Sequence, residues 1–171
     1  DFLYDENLAP SNHMSKAIVK ALGTDKINAV LDIGCGNGGV LRVISRTFPE
    51  IATLVGIEPA PSGVETARKL VPKGVFYKTA VDVDPNEINE GPFDAVLSVE
   101  VIEHLHYPAD LLRLAKAKLL KPSKTHDGGR LIITTPYHGY LKNMVLSLLN
   151  QWDKGCRSPL WIGGHAKFWT F

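Results

Sequence analysis

The segment Val30-Leu31-Asp32-Ile33-Gly34-Cys35-Gly36-Asn37-Gly38 constrains this chain most: a short apolar run breaks into alternating glycines and then into a helical pattern. Glycine has no Cβ, so such a loop turns tightly and lets a ligand or a neighbouring backbone approach its amide groups. Further apolar or β-branched runs alternate with helical patterns, the rhythm of strand-helix-strand units in a parallel sheet. The spacing predicts strands near 29–33, 53–57, 74–78, 93–98 and 129–135, and helices near 12–22, 38–48, 61–70, 107–120 and 139–151. Ser11 is the expected N-cap of the first helix and Gly23 its stop. The expected fold is therefore α/β, a doubly wound, mainly parallel sheet with helices on both faces and a ligand crevice at the strands' carboxyl ends. Residues 82–90 fit neither pattern.

With 171 residues, 44% of them hydrophobic, one compact domain over 1–171 is the economical expectation. A net charge of +1 supplies no broad field for nucleic acid or an anionic membrane, so any such partner must be recognised locally. Cys35 and Cys156 form no ladder of spacings for a disulfide framework or a zinc site, which makes a reducing, cytoplasmic setting the default expectation. No apolar run approaches the roughly 18 residues that a membrane span needs.

With Gly39, the loop also satisfies Gly-x-Gly-x-x-Gly, and Glu58 closes the second strand where a carboxylate can grip ribose hydroxyls. A nicotinamide or flavin dinucleotide therefore competes for this loop. Asp32 separates the readings, because a carboxylate at the end of the first strand repels a pyrophosphate. It attracts a ligand whose nearby groups are an ammonium and a sulfonium, and the single carboxylate of that ligand can use amides at the positive helix end.

On these residues, from about Ala29 to Pro136, the chain resembles the class I S-adenosylmethionine-dependent methyltransferases, whose first motif reads Asp-x-Gly-x-Gly-x-Gly. The resemblance implies a Rossmann-like fold with S-adenosylmethionine as cofactor. It makes Asp32, Gly34 and Gly36, with Cys35 in the same loop, contacts for the methionine portion and Glu58 the ribose ligand. Asp82 would contact adenine or its amino group, and Val99, after the fourth strand, matches a position that touches the cofactor. A complete fold of this kind adds two strands after the fifth. Little chain remains beyond Trp161, so a sheet short of its last strands, cut at the C-terminus, is expected.

Glu100-Val101-Ile102-Glu103-His104 places two carboxylates and an imidazole at relative positions 0, 3 and 4, one face of a helical turn. Such a set could grip a divalent cation, and carboxylate oxygens favour magnesium or manganese over structural zinc. Glu-x-x-Glu-His also resembles the ubiquinone-biosynthesis O-methyltransferases and the small-RNA 3′-end 2′-O-methyltransferases, in which a later histidine precedes an aromatic segment. Gly163-Gly164-His165-Ala166-Lys167-Phe168-Trp169 resembles that stretch, which makes His165 a further candidate metal ligand. Without metal, His104 or His138 is the candidate general base.

The expected activity is O-methylation of a small aromatic or related hydroxyl compound, with metal assistance as one route to it. RNA 2′-O-methylation is the enzymatic alternative, and a non-catalytic S-adenosylmethionine-binding module is the other. Leu141, Met144, Val145, Leu148, Leu149 and Trp152 share one helix face, whose simplest role is packing on the sheet. Covering the substrate crevice or lying against a membrane surface are the other roles open to it. Trp152, Trp161 and Trp169 add aromatic surface suited to a planar substrate or to a core.

Overall fold

The computed structural model describes residues 12–23, 27–123, 127–137, 139–151 and 166. Ser11, His138, His165 and the three tryptophans named above lie outside the described residues. The elements run α1 (Asn12–Leu22), β1 (Ala29–Ile33), α2 (Gly39–Thr47), β2 (Thr53–Ile57), α3 (Pro61–Leu70), β3 (Val75–Tyr77), β4 (Ala95–Val99), α4 (Pro108–Lys118), β5 (Arg130–Thr134) and α5 (Tyr140–Leu148).

The five strands form one parallel sheet in the order β3-β2-β1-β4-β5. The chain order reverses between β1 and β4, the switch point at which a doubly wound sheet opens its crevice. Register brings the strand ends level: Ile33 pairs with Ile57, Ile57 with Tyr77, and Val99 with Thr134. The residues that follow, Gly34, Glu58, Lys78, Glu100 and Thr135, therefore emerge together at one edge.

Side chains alternate across each strand, so both sheet faces need cover, and the strands read as near-continuous apolar runs. On one face Val30, Leu54, Ala95 and Leu97 join Leu41 and Ile44 of α2 with Ile18 and Leu22 of α1. On the other, Leu31, Ile33, Val55, Ile57 and Val96 meet Leu111 and Leu114 of α4. Leu41 is fully buried. Leu41→Ala is expected to cost about 3 kcal/mol, read as a lower urea midpoint at unchanged slope.

α5 departs from its expected role. No residue of it is buried, and Leu141, Leu148 and Leu149 are 68%, 78% and 63% exposed, so the apolar face does not pack on the sheet among the described residues. Residues 82–90 resolve into a single 3-10 turn at Pro85–Glu87, capped by Asp84, whose carboxylate accepts the Asn86 amide at 2.9 Å. No described helix is long and apolar enough to cross a membrane.

Candidate functional site

The glycine loop lies directly on the end of β1. Gly34 and Gly38 have φ of +77° and +78°, values that suit a residue without a Cβ. A Cβ on Gly34 would stand 2.5 Å from a Val101 methyl, and one on Gly38 would stand 2.9 Å from Ala67 of α3. Gly34 therefore ties the loop to the segment after β4, and Gly38 lets α2 start hard against α3.

The loop amides are engaged within the protein. Those of Gly34 and Cys35 donate to the Ile57 carbonyl at 2.9 Å, Gly38 to Cys35, Gly39 to the Asn37 side chain, and Gly36 to Glu58 Oε2 at 3.1 Å. These five amides build the loop. Glu58, 5% exposed, accepts from Gly36 and, through Oε1, from Ala60 at 2.9 Å.

Asp32 is 1% exposed, and among the described residues its Oδ1 has no hydrogen-bond partner. Burial, reinforced by the negative charge of Glu58, pushes its pKa up to about 7. An unpartnered buried carboxylate is costly, and a cationic ligand group would relieve the cost. Cys35 is also buried, and burial followed by the charges of Asp32 and Glu58 holds its thiol well above the usual range, so it lines the site as a small apolar group.

After β4 the chain departs from the expected helical turn. Only Ile102–His104 form a 3-10 turn, and Glu100 precedes it at φ +56°, outside the helix. Thr134 causes this: its carbonyl and hydroxyl accept the Glu100 amide at 3.1 and 3.2 Å, while the hydroxyl donates to Glu100 Oε1 at 3.1 Å. Glu103 is 1% exposed, and among the described residues neither of its carboxylate oxygens meets hydrogen-bond geometry. Burial, then the charge of Glu100, raises its pKa, while the Thr135 hydroxyl beside it acts to lower it. His104 Nε2 stands 4.0 Å from Glu103 Oε1.

The Glu103 oxygens would suit a cation, but Glu100 is turned to Thr134, and no three His, Cys, Asp or Glu side chains gather into a metal-binding group among the described residues. As placed here, Glu100, Glu103 and His104 do not form a metal-ligand set by themselves, and the further candidate His165 lies outside the described residues. The Ala166 amide donates to the Glu103 carbonyl at 2.8 Å, so a residue near the end of the chain sits on this turn.

Asp82 is exposed, and its carbonyl accepts from Arg113 at 3.2 Å. Val99 ends β4 and packs against the core beneath the loop. Sequence reasoning missed Val101, Thr134 and Thr135. The paired threonines, closing a strand at the crevice edge, were the signal available for two of them.

The sheet order, the switch point and the acid-flanked glycine loop are those of a Rossmann-like fold with a cofactor crevice at the strands' carboxyl ends. A family profile described as a methyltransferase domain matches residues 4–170, and the chain belongs to that family, the S-adenosylmethionine-dependent methyltransferases. It is 32% identical over 139 residues to the 2-methyl-6-phytyl-1,4-hydroquinone methyltransferase of Synechocystis sp., covering 72% of this chain and 40% of the relative. It is 34% identical over 109 residues to the ubiquinone biosynthesis O-methyltransferase of Maricaulis maris, covering 62% and 39%. The chain thus spans about two fifths of the length of these relatives. In fold it is similar to the crystal structure of the methyltransferase domain of bacterial CtHen1, with a TM-score of 0.59 at 19% identity over 82% of this chain and 72% of that one.

Proposed function

We propose that this chain binds S-adenosylmethionine and transfers its methyl group to the hydroxyl of a small aromatic, quinone-related compound. The observation that carries the cofactor reading is the buried Asp32 carboxylate beneath the glycine loop, whose Oδ1 has no partner among the described residues, next to Glu58 at the end of β2. Asp32 faces the ammonium of the methionine portion, and Glu58 takes the ribose hydroxyls. The hydroxyl acceptor is supported by the 34% identity to a ubiquinone biosynthesis O-methyltransferase.

In the transfer, the acceptor oxygen attacks the methyl carbon in line with sulfur. The carbon–sulfur bond breaks, its electron pair goes to sulfur, and the hydroxyl proton leaves to a base. His104, next to the crevice edge and half-exposed, takes that proton in this reading. Holding oxygen, methyl and sulfur collinear supplies much of the rate. His138 and His165 lie outside the described residues and are given no step.

The test is mass spectrometry after incubation with methyl-labelled S-adenosylmethionine and a panel of phenols, catechols and hydroquinones. Labelled aryl ethers are expected, and transfer to RNA alone would replace the acceptor assignment. His104→Gln should lower kcat by about 100-fold at little change in cofactor affinity. Manganese titrated into wild type and Glu103→Gln is expected to bind both with the same weak affinity. A marked loss in the variant would place Glu103 in a metal site.

A further inference from the structure

The segment that follows β3 is fastened to α4. The Glu58 amide donates to the Tyr77 carbonyl at 3.1 Å, so the chain leaves the sheet beside the carboxylate that closes β2. Beyond that point Arg113 Nη2 donates to the Asp82 carbonyl at 3.2 Å. Lys118 Nζ donates to the carbonyls of Ile88 at 2.6 Å and Pro85 at 3.4 Å. The Tyr77 hydroxyl donates to Glu90 Oε2 at 2.8 Å and accepts the Asn89 amide at 3.2 Å.

Lys118 sits in the last turn of α4, its ammonium 6.0 Å from the centre of the Phe93 ring, and burial lowers its pKa. A partly desolvated ammonium is costly unless its donors are used. Here the acceptors are main-chain carbonyls of the segment itself, so cation and loop hold each other in place. Ile88, 2% exposed, anchors the same stretch in the core shared with Leu111 and Leu114. The segment carrying Asp82 thus begins at the ribose side of the site and is set by two side chains of one helix.

We propose that Lys118 and Arg113 are positioning residues for recognition of the cofactor's adenine, acting through the 78–90 segment that carries Asp82. The inference rests on the reading of Asp82 as the adenine contact.

Calorimetry with S-adenosylhomocysteine and S-inosylhomocysteine, which differ at the purine 6-position, tests both. Wild type is expected to favour the adenine ligand about tenfold, the scale of one hydrogen bond to a charged group. Asp82→Ala should abolish that preference. Lys118→Met should cut it to about threefold or less, and so should Arg113→Gln, at a side chain already 46% exposed and tolerant of change. If both variants weaken the two ligands equally, or leave the preference intact while Asp82→Ala removes it, the positioning role is overturned and the Asp82 reading stands. If wild type shows no preference, or Asp82→Ala retains it, the Asp82 reading fails and the positioning role falls with it.

Discussion

Asp32→Asn is expected to weaken S-adenosylhomocysteine binding on the order of 100-fold while making the protein more stable at pH 8. The two effects share one cause. Removing the charged partner of a ligand ammonium in a desolvated site costs a few kcal/mol of binding. The same carboxylate strains the free protein, since it is 1% exposed, leaves Oδ1 unpartnered among the described residues and lies near Glu58.

In the unfolded chain Asp32 ionises near its ordinary 3.8, and in the folded protein near 7. Between those values the folded state holds a proton that the unfolded state has released, so stability falls as pH rises. The contribution is fully present below about pH 4 and lost as pH climbs through about 7, amounting to roughly 4 kcal/mol at an order-of-magnitude level. Asparagine removes this dependence. Thermal unfolding at pH 8 should show Asp32→Asn melting roughly 10 °C above wild type, with the gap narrowing at pH 5. Cofactor affinity should move the opposite way in wild type, rising about tenfold per pH unit below 7 and levelling above it, because the ligand's cation binds the ionised form. A flat affinity profile from pH 6 to 8 would remove Asp32 from the ammonium site.

Gly34→Val carries the second large effect. At φ +77° a β-branched residue is strained, and its Cβ would stand 2.5 Å from the Val101 methyl. Relief requires either the loop or the turn after β4 to shift, and both belong to the site. A loss of about 3 kcal/mol in urea denaturation is expected, together with cofactor binding too weak to measure. The Val101→Ala/Gly34→Val double variant should recover part of the stability. If it recovers none, the contact is not the source of the loss.

The strands were legible because each is a short apolar run, and a sheet covered on both faces leaves no other periodicity to compete. Asp32 and Glu58 were legible as acids at strand ends, whereas the raised pKa of Asp32 was not, since it depends on what the fold places around it. The Glu100–His104 spacing suggested a helical turn, but five residues carry no helix against a competing tertiary bond, and Thr134 draws Glu100 into a left-handed conformation instead. Likewise the loop glycines were legible, whereas the acceptors Ile57 and Glu58 for the Gly34, Cys35 and Gly36 amides come from the neighbouring strand and are visible only in the fold. For α5 the apolar face was legible in sequence. Its packing was not, because periodicity marks a face without naming what covers it.

The glycine loop and its two acids have two candidate ligands, a methyl-donor cofactor and a dinucleotide, and the two are separable by binding. Calorimetry with S-adenosylhomocysteine and with nicotinamide adenine dinucleotide, each titrated into the protein at pH 8, decides between them. One molecule of S-adenosylhomocysteine per chain, binding in the range of about 1–100 μM, with no heat from the dinucleotide, is the predicted result. Saturable binding of the dinucleotide and none of S-adenosylhomocysteine would contradict it.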